Sequence, residues 1–145
     1  MAYDFQVAVD CADPHPLADW WAETLEWEVE KPDEAFIRDM VAQGYADESE
    51  TATYDGRLVW RTGAAIRHPE AYPSGKPRRV IFQIVPEPKT VKDRIHLDLY
   101  VGTDKIDAVR DALVARGATF LHSGRQGPLS WHTLADIEGN EFCIS

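Results

Sequence analysis

One pattern of strand, short loop and helix occurs twice in this chain, and the repetition constrains the fold more than any other feature. In the first copy, Val7 and Val9 alternate with small or polar residues, and an apolar stripe at helical spacing follows from Leu17 onward. The second copy lies within "IHLDLYVGTDKIDAVRDALVARGATF", where the strand alternates again and the helix ends at Gly117. A helix with one apolar stripe must lie on a sheet, so the chain is predicted to be α+β.

The second halves of the two copies also match, because "LVWRT" (58–62) resembles "LSWHT" (129–133) and both terminal strands alternate. This alignment pairs Gln6 with His96, Trp60 with Trp131 and Gln83 with Cys143. We therefore predict one domain over residues 1–145 built from two βαβββ modules, the first about 1–88 and the second about 93–145. The first module contains an extra segment, in which Asp33 is expected to cap a short helix over about 33–44.

Composition limits the classes of partner. A chain of 145 residues with 44% hydrophobic residues is long enough to bury a core of its own. Its net charge of -10 disfavours binding to nucleic acid or to anionic membranes, and no apolar run reaches the length of a membrane span or an export signal. Cys11 and Cys143 lack the paired spacing of zinc or redox motifs, which indicates a reduced, cytoplasmic setting.

Four segments carry a family resemblance over nearly the whole chain: "VAVDCADPHPLADWW", "FQIVPEPKTVKDRIHLDLYV", "ARGAT" and "WHTLADIEGNEFCIS". In the last of them, "ADIEGNEFC" is similar to a terminal Asp-Pro-Glu-Gly-Asn hairpin with Ile137 in place of the proline. With these segments the chain resembles the vicinal oxygen chelate superfamily, and within it the glyoxalase-like and bleomycin-resistance-like domains. The resemblance implies two curled mixed sheets around a cavity, and assembly as a homodimer.

The resemblance also implies where a divalent metal would bind, since family enzymes take ligands from the first and last strands of each module. Carried over by position, the four metal slots are Gln6, Gln83, His96 and Cys143. The family usually has histidine or glutamate there, and amide oxygens are weak ligands for Zn²⁺ or Fe²⁺. We therefore expect a degenerate metal site and no classical glyoxalase I activity. Glu141 shares the strand face of Cys143 but is out of register for the usual ligand.

His96 is the candidate catalytic residue, because an imidazole can transfer a proton near neutral pH or bind a metal. The alternative is a hydrogen-bonded histidine in a cavity wall. Cys143 is either a nucleophilic thiol or a small packed side chain. The tryptophans of the aligned segments are either aromatic cavity walls or core residues. The candidate ligand-binding residues are Gln6, Trp60, Gln83, Asp98, Tyr100, Trp131 and Cys143.

Two functional hypotheses follow from these residues and the resemblance. The first is a glyoxalase-like protein that binds a small organic molecule between its modules, as an enzyme of lyase, isomerase or dioxygenase type with a degenerate metal site. The second is a non-catalytic protein that sequesters a drug or metabolite, as in the bleomycin-resistance branch. A purely structural module would instead have its cavity filled by side chains. His15, His68, His122 and His132 show no ligand spacing with one another. A basic cluster on the segment between the two modules, Lys89, Lys92 and Arg94, is either a solvated loop or a receiver for an anionic group.

Overall fold

Ten strands and three α-helices make up the computed structural model, which describes every residue from Met1 to Ser145. The helices are α1 (Pro14–Leu25), α2 (Glu34–Ala42) and α3 (Ile106–Ala115), with a 3-10 turn at Glu48–Glu50. The strands are β1 (Val7–Cys11), β2 (Glu28–Val29), β3 (Thr51–Tyr54), β4 (Arg57–Trp60), β5 (Gly63–Arg67), β6 (Arg79–Ile84), β7 (Asp98–Leu99), β8 (Thr119–Gln126), β9 (Leu129–Ala135) and β10 (Glu141–Ile144). The predicted α+β class is confirmed.

The chain forms two compact units, unit 1 (Met1–Pro88) and unit 2 (Lys89–Ser145). The sheet of unit 1 has the strand order β1-β6-β5-β2, and that of unit 2 has the order β7-β10-β9-β8. In both sheets the first strand is parallel to the last, and the last is antiparallel to the strand before it. The two sheets therefore share one topology, which confirms the predicted pair of modules with mixed sheets.

The predicted equivalence of Trp60 and Trp131 is wrong. Trp60 ends β4, which pairs only with β3 in a separate two-stranded sheet, whereas Trp131 lies in β9 of the main sheet of unit 2. The strand of unit 1 that corresponds to β9 is β5, which begins at Gly63. The short similarity between "LVWRT" and "LSWHT" thus joins an inserted hairpin to a strand of the repeat.

The strand register also corrects one of the aligned pairs. Gln83 is the partner of Asp10 across β6 and β1, and Cys143 is the partner of Asp98 across β10 and β7. The aligned pairs Gln6–His96 and Gln83–Cys143 therefore differ in register by two residues and cannot both hold. If Gln83 and Cys143 are taken as equivalent, because each follows a phenylalanine that is 1% exposed, the counterpart of His96 is Ala8, two residues after Gln6. A shift of two residues keeps the same strand face, because strand side chains alternate with a period of two.

Helix α1 follows β1 and packs on β5 and β6 through its buried stripe. The fully buried Leu17 lies in this stripe, beside Trp20 and Trp21. Asp13 is the N-cap residue, yet its side chain makes no capping hydrogen bond. Pro16 occupies the third helical position and has no N–H to donate, which removes one of the usual capping partners.

In unit 2, helix α3 packs on β8 and β9. The apolar side of that sheet is formed by Leu134, Phe142 and Ile144, each at most 1% exposed. Because Cys143 lies between two of these buried residues, its side chain points to the opposite face of the sheet. None of the helices combines the length and apolar character needed to cross a membrane.

In the inserted segment of unit 1, α2 is capped by Asp33, whose carboxylate accepts hydrogen bonds from the backbone N–H groups of Ala35 and Phe36. Only Ile37 of this helix is buried, while Phe36 is half exposed. The helix therefore packs with one buried residue on the hairpin of β3 and β4, which it contacts through β4.

Candidate functional site

A cavity of about 750 Å³ lies on the face of the unit 2 sheet that points away from α3. The strands reach it by alternation: Trp131 and Thr133 of β9 line it, while His132 between them contacts α3. Its other lining residues include Lys92, His96, Asp98, Tyr100, His122, Pro128, Leu129, Glu141 and Cys143. A cavity of this volume is in the range that holds small organic ligands.

A row of polar side chains crosses the floor of this cavity from β7 to β8. The cross-strand partners are Asp98 with Cys143, Cys143 with Thr133, and Thr133 with His122. The Thr133 hydroxyl and the Cys143 thiol are 3.3 Å apart and share a hydrogen bond. Four strands thereby place a carboxylate, a thiol, a hydroxyl and an imidazole side by side.

His96 stands at the Asp98 end of this row. Its Nε2 atom is 3.2 Å from Oδ1 of Asp98, and 38% of the imidazole side chain is exposed. One ligand atom from each of His96, Asp98 and Cys143 lies within 4.8 Å of the other two. This N, O and S donor set fits a divalent cation such as Zn²⁺ with a coordination position left for a ligand. The same arrangement lets Asp98 orient the imidazole for proton transfer.

Glu141 also lines the cavity, but its carboxylate is already engaged. It accepts hydrogen bonds from Nζ of Lys89 at 3.0 Å and from the backbone N–H of Asp93 at 3.1 Å. Burial alone would raise the pKa of Glu141, but these hydrogen bonds and the Lys89 charge outweigh it and lower the pKa to about 2. Burial also raises the pKa of the neighbouring Asp93. Glu141 therefore fixes the segment 89–93 to β10.

Lys89 and Lys92 of the basic cluster between the two modules have different contacts. Lys89 is paired with Glu141 and Asp93 inside unit 2, and its ammonium also donates to the backbone oxygen of Val91. Lys92 is a lining residue of the cavity and donates to the backbone oxygen of Asp93. Of the two lysines, Lys92 is the one placed beside the cavity.

Aromatic and aliphatic side chains form the other end of the cavity. Trp131 is half-buried there, and Tyr100 and Leu129 line the cavity while remaining largely exposed, at 91% and 68%. The polar row and this apolar end give the cavity two chemically different parts. A ligand with a polar group and an apolar body matches that division.

The three remaining candidate residues lie in unit 1. The Oε1 atom of Gln6 is 3.5 Å from Nη1 of Arg79. The backbone oxygen of Trp60 is 2.7 Å from Nε2 of His15, and the backbone oxygen of Gln83 accepts from a buried cysteine thiol. Gln6, Trp60 and Gln83 stay predicted ligand-binding residues.

Sequence reasoning missed His122 because of a β-bulge. The register of β8 against β9 shifts between Phe120 and His122, so these two residues face opposite sides of the sheet although they are two apart. Phe120 contacts His132 on the helix side, and His122 lines the cavity. A period of two cannot reveal a bulge, and the sequence carries no other signal for it.

His132 has a structural role on the helix side of the sheet. Its Nδ1 is 2.8 Å from the Ser123 hydroxyl, and its Nε2 is 2.8 Å from Oδ1 of Asp107 at the start of α3. The hydrogen bond with His132 is the main cause that lowers the pKa of Asp107. Arg110 adds an ion pair to the same carboxylate. This network connects α3 to β8 and β9.

Comparison with known proteins places this geometry in context. The model of the glyoxalase-like domain family matches residues 6–145. No curated protein matches the sequence significantly. Among solved structures, the genomically encoded fosfomycin resistance protein FosX from Listeria monocytogenes is similar in fold, with a TM-score of 0.60, 8% identity, and coverage of 99% of this chain and 92% of that chain.

Two further solved structures are similar at low identity. The bleomycin-binding protein from the bleomycin producer Streptomyces verticillus has a TM-score of 0.53 and 13% identity, and the match covers 100% of this chain and 96% of that one. A glyoxylase/bleomycin resistance protein/dioxygenase domain from a Frankia species has a TM-score of 0.57 and 13% identity, covering 99% and 96%. At such identities these likenesses show the fold.

Proposed function

From the premise that this chain belongs to the glyoxalase-like domain family, we propose that it binds a small organic molecule in the cavity of unit 2 and acts on it as an enzyme. The observation that carries the proposal is the convergence of His96, Asp98 and Cys143 inside a cavity of about 750 Å³. Polar groups that converge in a cavity with apolar walls are characteristic of binding and active sites.

His96 is the proposed catalytic residue. Its imidazole is exposed to the cavity and lies 3.2 Å from Asp98, so it can accept a proton from a bound molecule and return it elsewhere. The Asp98 carboxylate orients the ring. This pairing supports a lyase or isomerase type of reaction, in which a proton moves between atoms of one molecule.

As an alternative to proton transfer by His96, a divalent metal fits at this position, with His96, Asp98 and Cys143 as its ligands. When bound, such an ion supplies Lewis-acid polarisation of substrate oxygens. The donor set differs from the four slots inferred from the resemblance, since Asp98 joins His96 and Cys143 while Gln6 and Gln83 belong to unit 1. Native mass spectrometry and metal analysis of chain purified without chelator test this assignment.

Native mass spectrometry also tests the binding proposal. We expect the full chain to retain a small organic molecule, and Trp131→Ala to lose it because that indole forms the cavity wall. Trp27→Ala in unit 1, where the indole packs on His68, is the matched control and should retain it. If no molecule is retained, and no member of a panel of small carbonyl and aromatic compounds raises the melting temperature, the proposal fails.

Sequestration without catalysis is the second candidate function, and the apolar end of the cavity favours it. Trp131, Pro128 and Leu129 provide contact area without reactive groups. His96→Gln separates the two functions. If the protein is an enzyme, the wild type forms product, and His96→Gln keeps the bound molecule but forms none. If the protein only sequesters its ligand, neither the wild type nor His96→Gln forms product.

Assembly as a homodimer and a cytoplasmic location remain part of this proposal. Large exposed apolar side chains of unit 2 support the dimer, among them Val91, Ile95 and Tyr100, which are 76% to 91% exposed. Light scattering coupled to size-exclusion chromatography tests it, and a monomer at micromolar concentration would remove it. The acidic composition supports the absence of nucleic-acid and membrane partners.

A further inference from the structure

Gly124 in β8 has no backbone reason to be glycine. Its φ angle lies outside the left-handed region, so other residues can adopt this conformation. The restriction comes from Trp131, its cross-strand partner in β9. A Cβ added at Gly124 would lie closer than 3.0 Å to Cε2, Cζ2 and Nε1 of the indole, a separation that real Cβ atoms essentially never show.

The indole of Trp131 therefore lies directly against the backbone of β8, in space that any other residue at position 124 would fill. Trp131 is also a lining residue of the cavity. A ring packed against a strand on one side presents its other side to the open space, and an aromatic face binds a second planar ring in offset stacking. The absence of a Cβ at Gly124 thus allows the indole to lie against β8.

The polar row begins one step along the same strand face. Trp131 and Thr133 are two residues apart in β9, which corresponds to roughly 7 Å along a strand. Thr133 belongs to the row that also contains Cys143. A ligand that stacks on the indole would therefore place a polar group about one bicyclic ring length away, beside a hydroxyl and a thiol.

We infer that Gly124 and Trp131 form a binding subsite for the planar aromatic part of the ligand, and that Gly124 is the positioning residue that keeps this subsite open. The inference rests on the proposed function, because it names the class of molecule that the unit 2 cavity takes: a flat ring carrying a polar group. Substitution of Gly124 pushes the indole off β8 and into the space that the ring occupies.

A matched pair of probes tests the ligand class. 2-Naphthol and decahydro-2-naphthol share a carbon skeleton and a hydroxyl, but only the first is planar. We expect the wild-type chain to bind 2-naphthol about tenfold more tightly, the size of effect that aromatic stacking provides. Equal affinity for the two compounds, or no binding of either, overturns the inference. A different molecule retained in native mass spectrometry would then leave the proposed function standing.

A double-mutant cycle tests the role of Gly124. In the wild-type background, Gly124→Ala should weaken 2-naphthol binding about tenfold and change the Trp131 emission. A Trp131→Leu background already binds 2-naphthol more weakly, and there the same substitution should change the remaining affinity less than about twofold. The double variant also covers the case in which Gly124→Ala alone fails to fold, because removing the indole removes the clash. Equal effects of Gly124→Ala in both backgrounds, on binding and on urea midpoint, would show that the contact does not position the indole.

Discussion

The two sheets have the same strand order but carry different chemistry. In unit 2 the row across the first, last and preceding strands reads Asp98, Cys143, Thr133. In unit 1 the corresponding row reads Asp10, Gln83, Gly63. The aspartate is present in both, while the thiol is replaced by an amide and the hydroxyl by a hydrogen atom. The groups that we propose to hold a metal or to transfer a proton thus converge in unit 2.

The core positions of the two sheets are instead the same. Phe82 and Phe142 each come directly before the residue that their strand contributes to this row, and both are 1% exposed. The fold requires a large apolar side chain at this position in each unit, because it fills the space between sheet and helix. The face that points away from the core carries no such requirement, so its residues differ.

The largest expected effect concerns this shared position. Phe82→Ala and Phe142→Ala should each destabilise the protein by about 3–5 kcal/mol, since each removes a fully buried ring and leaves a cavity. Urea unfolding followed by circular dichroism measures both. Phe36→Ala, which truncates a half-exposed ring on α2, is the control and should change stability little. Costs that differ by more than about 2 kcal/mol would show that the two cores are not equivalent.

The next effect concerns the differing row. Replacing Cys143 by the residue that unit 1 has at this position, as Cys143→Gln, should weaken Zn²⁺ binding by about 100-fold, because a thiolate ligand becomes a weak amide oxygen. The reverse change in unit 1, Gln83→Cys, should create no Zn²⁺ site, since the position equivalent to His96 is Ala8. Competition with a colorimetric zinc chelator measures both affinities. Unchanged affinity in Cys143→Gln would remove the thiol from the donor set.

Much of this comparison was accessible from sequence. The alternation of apolar residues and the strand-helix repeat gave the class and the number of modules, because both patterns are local. The equivalence of Gln83 and Cys143 was also predicted, since each directly follows a phenylalanine in a strand with alternating apolar residues. His96, Asp98 and Tyr100 were placed on one strand face, and all three line the cavity.

What sequence could not supply depends on pairing between distant strands. The approach of Asp98 to Cys143 arises from the parallel pairing of β7 with β10, which no local pattern encodes. Trp60 was misaligned because the five-residue segments 58–62 and 129–133 are similar in sequence, although β4 belongs to a hairpin outside the main sheet. His122 required knowledge of a bulge. Each error concerns a register, and a register is set by the whole sheet.

A smaller effect on stability is expected at Glu141 in unit 2, whose counterpart in unit 1 is Ile81. Glu141→Gln should destabilise the protein by on the order of 1–2 kcal/mol at pH 7, because Lys89 and the Asp93 N–H lose a charged acceptor. The pKa of Glu141 is lowered from 4.5 to about 2, so this stabilisation is present above pH 4.5 and is lost as the pH falls toward 2.

Urea unfolding of wild type and Glu141→Gln between pH 7 and pH 2 measures this difference. Burial is the main cause that raises the pKa of Asp93 above 3.8, and this effect on stability has the opposite sign to that of Glu141. Glu141 also contributes to the pKa of Asp93, so the difference between the two proteins reports the whole effect of the Glu141 charge on the segment 89–93. Glu87→Gln changes an exposed carboxyl in unit 1 and serves as the control. A wild-type advantage that stays constant down to pH 2 would mean that Glu141 does not stabilise the segment 89–93 through its charge.

The smallest effect concerns the hairpin of β3 and β4, which unit 1 has in addition to the shared topology. The Tyr54 hydroxyl on this hairpin donates to Oδ2 of Asp19 on α1 at 2.6 Å, and this hydrogen bond, with burial, raises the pKa of Tyr54 to about 12. Tyr54→Phe should cost about 0.5–1 kcal/mol near neutral pH, since the pair is partly exposed.

The stabilisation is complete below pH 10 and disappears as the pH rises to 12, because ionisation removes the donor. Stability measured at pH 7 and pH 11, with the exposed Tyr3→Phe as control, would reveal that loss. An unchanged difference at pH 11 would mean that packing alone, without this hydrogen bond, holds the added hairpin on α1.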